Sequence, residues 1–76
     1  MKKVQLDFAE FTIADQLILA KHNIYIKLIE EDGPGGGASI YELVGTEENL
    51  KAYINEVEAD GGDPEYLISL IEDANL

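Results

Sequence analysis

The chain has no cysteine, no arginine and no tryptophan, and its 76 residues include only five lysines and one histidine. Without cysteine there is no disulfide, no zinc-thiolate site and no thiol nucleophile, a usage that fits a reducing cellular interior. Without arginine and with few lysines, direct nucleic-acid binding is disfavoured, because phosphate contacts need cationic side chains to displace counterions. Long apolar runs are missing too. The longest mostly apolar stretch, Ile24 to Ile29, is interrupted by Lys27 and is too short to span a bilayer. Met1-Lys2-Lys3-Val4-Gln5-Leu6-Asp7 meets an aspartate where a signal peptide would turn apolar. These absences predict a soluble, cytoplasmic protein with no membrane segment. A chain of this length is expected to close one hydrophobic core, a single domain over residues 1–76, and to gain from dimerisation.

What the chain does have is acid. Sixteen acidic residues against five lysines leave a net charge of −11. Residues 39–76 hold ten acids and one lysine, a net of −9, while residues 1–38 hold six acids and four lysines, a net of −2. Charge of one sign keeps a small protein soluble, and it also steers a partner of the opposite sign. The candidates for an acidic docking face are Glu47, Glu48, Glu56, Glu58, Asp60, Asp63 and Glu65.

Lys3 to Ala9 alternates, with Val4, Leu6 and Phe8 on one face and Lys3, Gln5 and Asp7 on the other, which predicts a half-buried strand. Thr12 can cap a helix, with Asp15 placed to bond back. Ile13, Ala14, Leu17 and Ile18 then follow helical spacing, so a helix from Ile13 to about His22 is expected, ending near Asn23. Ile24 to Glu31 and Ser39 to Gly45 return to period two and should pair antiparallel. Between them, Asp32-Gly33-Pro34-Gly35-Gly36-Gly37-Ala38 reads as a flexible hairpin tip that could order over a partner. Thr46 caps a helix with Glu47 and Glu48 in its first turn and Leu50, Tyr53, Ile54 and Val57 as its apolar stripe, stopping at Asp60-Gly61-Gly62. Asp63 and Pro64 open a last helix, to about Ala74; a short fourth strand at Tyr66 to Ile71 is the alternative.

The element order β-α-β-β-α-α resembles the ferredoxin-like (split β-α-β) fold over residues 3–59, by order of elements alone. The resemblance implies an α+β domain with a three-stranded antiparallel sheet of order 1-3-2 and helices mainly on one face. The other face would then carry Tyr25, Ile29, Ile40 and Val44. Four such side chains are costly to leave in water, so this face is expected to be covered, by the last helix or by a second copy of the chain.

No catalytic constellation stands out. The glycine-rich stretch lacks the spacing of a phosphate loop and leads into a strand instead of a helix. Asp60, Asp63 and Glu65 around Gly61-Gly62 resemble calcium-loop acids in composition only: counting from Asp60, the twelfth position is Ile71, where a glutamate is needed. His22 falls at a helix C-terminus, where the dipole accounts for it. No enzyme, cofactor or metal is therefore expected. The leading expectation is an acidic interaction or regulatory protein that binds a basic or nucleic-acid-binding protein partner and forms a homodimer. The alternative is a small-molecule-binding module similar to the ACT type of ferredoxin-like domain, with its ligand near Glu10-Phe11-Thr12.

Overall fold

Alternating side chains draw Lys2–Phe8 into the first strand, β1, with Val4 and Leu6 buried and Gln5 and Asp7 exposed. The structure, a computed structural model, describes residues 1–8, 10–31, 39–59 and 61–74. A capping box opens the first helix, α1 (Ile13–Lys21): the Thr12 hydroxyl accepts from the Asp15 amide at 3.3 Å and the Asp15 carboxylate accepts from the Thr12 amide at 2.9 Å. Asn23, at a φ of 55°, takes the left-handed conformation that ends a helix and turns the chain into β2 (Tyr25–Glu30). The expected glycine-rich hairpin tip, residues 32–38, lies outside the described residues.

β3 (Ser39–Gly45) pairs antiparallel with β2 on one side and β1 on the other. Thr46 then caps α2 (Glu47–Val57) by accepting from the Asn49 amide at 3.1 Å. Asp63 caps α3 (Pro64–Ser69) by accepting from Tyr66, with proline at the first helical position. A two-residue strand, β4 (Glu72–Asp73), closes the order.

The fold is α+β, and among the described residues it has three helices and a four-stranded antiparallel sheet of order β2-β3-β1-β4. The expected three-stranded sheet of order 1-3-2 is corrected by β4, which pairs Glu72 with Lys3 and Asp73 with Lys2 at the outer edge of β1. The last helix is also shorter than expected, and the alternative strand at 66–71 is instead helix up to Ser69. Two acidic residues carry no hydrophobic period; they are placed by backbone pairing with β1, and opposite charge matches them to their partners. The Lys2 ammonium clasps the Asp73 carboxylate and keeps its pKa below the ordinary range, while Lys3 lies 3.6 Å from Glu72.

Among the described residues, eight buried side chains cluster between sheet and helices: Val4 and Leu6 from β1, Leu43 from β3, Leu19 from α1, Ile24, and Leu50, Tyr53 and Ile54 from α2. The orientation of α1 differs from its expected stripe. Ile13 and Leu17 are exposed, at 75% and 66%, and Leu19 is the residue that reaches the core. The helix is apolar nearly all round, so periodicity does not choose a face; the bond from the Ile24 amide to the Leu19 carbonyl, at 3.0 Å, ties that turn down beside the sheet. Among the described residues no helix is long and apolar enough to cross a membrane.

Candidate functional site

The Met1 carbonyl accepts from the Ala74 amide at 3.1 Å, in register with the Lys3 to Glu72 pairing. Backbone polar groups in an antiparallel strand turn to alternate sides with period two. Odd-numbered residues of β1 therefore present theirs to the β4 side. β4 ends its pairing at Lys3, so the amides and carbonyls of Gln5 and Asp7 look out from an edge with no strand beside it among the described residues.

That edge is the wall of a cavity of about 430 Å³. Leu6 and Phe8 contribute from β1, Tyr66, Leu67 and Leu70 from α3 and its cap, and Tyr53, Val57 and Glu58 from the C-terminal end of α2 and its cap. Asp15 of α1 also lines it. A second depression of about 320 Å³ lies on the other side of the same edge, lined by Ile40 and Glu72 and sharing Gln5, Asp7 and Leu70 with the first. The two form a trough astride the free edge of β1, one half on the helix side of the sheet and one half on its open side. Its rim is partly apolar and open to solvent: Tyr66 is 59% exposed and Leu70 42%.

The trough is negative. Asp7, Asp15, Glu58 and Glu72 line it, and no lysine does. Asp7 and Glu58 enter no ion pair among the described residues, since the charge contacts run from Lys2, Lys3, Lys21, His22 and Lys51 to other acids. Of the two glycines that follow α2, Gly61 makes the turn and Gly62 makes room for Glu58. Gly61 holds a φ of 107°, which turns the chain after α2, and a Cβ at Gly62 would sit 1.5 Å from a Glu58 carboxylate oxygen. The Tyr53 hydroxyl feels the result: burial first, then the charges of Asp15, Glu58 and Glu56, push its pKa up to about 12. The unfolded chain ionises this tyrosine near pH 10. Folding therefore holds the proton longer, and the associated stability is full below pH 10 and lost as pH rises toward about 12. Tyr53→Phe keeps the ring and removes the hydroxyl. Chemical denaturation between pH 9 and 12 should show a shallower alkaline loss in this variant than in the parent.

The residues singled out from sequence scatter more widely. Of the acidic candidates, Glu58 lines the trough; Glu47 bonds Lys51 at 3.3 Å one helical turn on, and Glu56 holds Lys21 at 2.8 Å and His22 at 3.2 Å. Asp63 serves as a cap, Glu48 and Glu65 are exposed, and Asp60 lies outside the described residues. Among the described residues no three histidine or acidic side chains gather as a metal-holding group. His22 caps α1 and meets the Tyr53 ring edge-on, centroids 6.2 Å apart.

On the open sheet face Tyr25 stands opposite Val44, 73% exposed, and Ile40 is partly buried. Ile29 is the extra residue of a register shift between Leu28 and Glu30. The same face carries Lys3, Gln5, Asp7, Lys27 and Glu42, with Lys3 3.6 Å from Glu42. It is more polar than its four apolar members alone suggest, and α3 packs against α2 instead of over Tyr25 and Val44.

The turn at Glu10-Phe11-Thr12 is filled from within. The Phe11 ring stacks on Tyr41 at 4.9 Å and meets Phe8 edge-on at 5.2 Å, while Thr12 and Asp15 satisfy each other. Asp7 and Asp15 come from the less acidic half of the chain, so reading charge by halves passes over them. The alternation that puts Asp7 on the open side of an edge strand is the signal for one; Asp15 is legible only as a cap. No family model, no curated protein and no solved structure matches this chain.

Proposed function

We propose that this is a non-catalytic interaction protein that binds a basic protein partner through the acidic trough at the edge of β1. The observation that carries the reading is the union of an apolar floor with four carboxylates and no lysine in one concavity. Apolar area supplies affinity, and the carboxylates, of which Asp7 and Glu58 enter no ion pair among the described residues, supply steering and selection by charge. The scaffold follows the ferredoxin-like plan, a reading supported by the element order and by β3 lying beside both β1 and β2. Such scaffolds host many functions, so the trough and not the fold bears the argument.

The test is a pull-down from cell extract at low and at high salt. Partners retained at about 50 mM salt should be rich in lysine and arginine and should elute as screening grows. Partners whose binding ignores ionic strength would remove the electrostatic basis of the reading. Self-association through Tyr25 and Val44 is a second contact in the same reading, favoured by the 73% exposure of Tyr25; sedimentation giving a strict 8.4 kDa monomer at high micromolar concentration retires it.

A further inference from the structure

We infer that the partner enters the trough as an extended segment that adds to β1 as a fifth strand, alternating cationic with apolar side chains. The inference rests on the acidic-trough reading and specifies its occupant. Gln5 and Asp7 offer backbone donors and acceptors along an edge that β4 leaves after Lys3. Open space lies on both sides of that edge, as a strand with two faces requires. The two sides differ in chemistry. On the helix side the added strand meets the apolar surfaces of Leu6, Phe8, Tyr66 and Leu70, with Asp15 and Glu58 also in the lining; on the open side it meets the carboxylates of Asp7 and Glu72 beside Ile40. Period-two alternation of apolar and cationic residues satisfies both sides at once.

The line is already begun by β4, which runs antiparallel to β1, and an added strand continues it in the same sense. In an antiparallel pair with inward-facing bonds at Gln5 and Asp7, the residue directly opposite each shares its face of the sheet. The cationic residues therefore stand opposite Gln5 and Asp7, and their own amides donate to β1. A second copy of this chain fits the trough poorly, because it brings a net charge of −11 to a negative site. The other edge of the sheet, on β2, is broken by the register shift at Ile29, a device that discourages strand addition.

The experiment uses the full chain and three synthetic peptides, each acetylated and amidated, with the repeat Lys-Val-Lys-Val-Lys-Val-Lys. The first is unmodified, the second is N-methylated at its lysine amides and the third at its valine amides. Calorimetry at low salt should show the unmodified peptide binding, the lysine-methylated peptide at least tenfold weaker and the valine-methylated peptide within about threefold of the first. Equal binding by all three overturns strand addition and leaves the acidic-trough reading standing. Loss with the valine-methylated peptide alone, or equal loss with both, also overturns the antiparallel strand. Binding by none of the three overturns both readings. A dimer in sedimentation that the unmodified peptide disperses assigns the edge to a second copy and overturns the inference as well.

Discussion

Replacing Leu50 by alanine should lower the melting temperature by about 12–24 °C. Leu50 is wholly buried on α2, in the core cluster with Tyr53 and Ile54 of the same helix and Val4, Leu6 and Leu43 of the sheet. Leucine-to-alanine changes in such sites cost about 2–5 kcal/mol, from lost transfer energy and the cavity left behind. In a domain of this size each kcal/mol moves the midpoint by roughly 4–8 °C, and about 3 kcal/mol is a large share of a total near 4–11 kcal/mol. The informative control is Leu17→Ala. Leu17 sits on a helix at apolar spacing too, but it is 66% exposed. Its loss should change stability by no more than about 0.5 kcal/mol. Thermal melts followed by circular dichroism separate the two; equal losses would mean that α1 turns its Ile13 and Leu17 side inward.

The second large effect concerns the trough. The double substitution Asp7→Lys with Glu58→Lys should weaken binding of the unmodified lysine-valine peptide by about 30-fold or more at low salt. Asp7 lies on the face where the partner lysines stand, and Glu58 adds to the negative potential of the same trough. Each such carboxylate is worth about 0.2–1 kcal/mol where solvent still reaches it, and reversal turns that attraction into a repulsion of similar size. Two reversals therefore shift binding by roughly 1–4 kcal/mol, toward the upper end where the peptide shields the charges from water. The gap between parent and variant should shrink at about 0.5 M salt. Neither side chain belongs to the core, so the fold should persist, and unchanged melting would show that any loss of binding comes from charge. Undiminished affinity in the double variant would place the peptide elsewhere.

The strands of the sheet that bury one face are legible in the sequence because period-two alternation survives in them. Val4, Leu6 and Leu43 mark the core side of β1 and β3 by their spacing alone, and they are buried there. Helix starts are legible for a different reason: Thr12, Thr46 and Asp63 each offer an oxygen that an orphan amide needs, and each accepts one. Two features are hidden. β4 is built from Glu72 and Asp73, and its partners Lys3 and Lys2 lie about seventy positions away, so only tertiary pairing reveals it. The face of α1 is hidden because Ile13, Leu17, Ile18 and Leu19 present apolar groups in every direction.

The trough combines both difficulties. It exists because β4 stops pairing at Lys3 and α3 ends at Ser69; hydrophobic pattern shows no β4 and carries the last helix on to about Ala74. Its acids come from β1, α1, the cap of α2 and β4, positions far apart in the chain and brought together only by the sheet order. Counting charge over the second half finds Glu58 but groups it with Glu47 and Glu56, which are already engaged by Lys51, Lys21 and His22.

The most direct test of the trough as a docking site is a nitrogen-15 chemical-shift titration of the full chain with the unmodified lysine-valine peptide. Docking in the trough should give the largest shifts at the amides of Gln5, Asp7, Glu58, Tyr66 and Leu70, with slowed hydrogen exchange at Gln5 and Asp7. Shifts confined to the outer edge of β2, or to the exposed Ile13 and Leu17 side of α1, would contradict it.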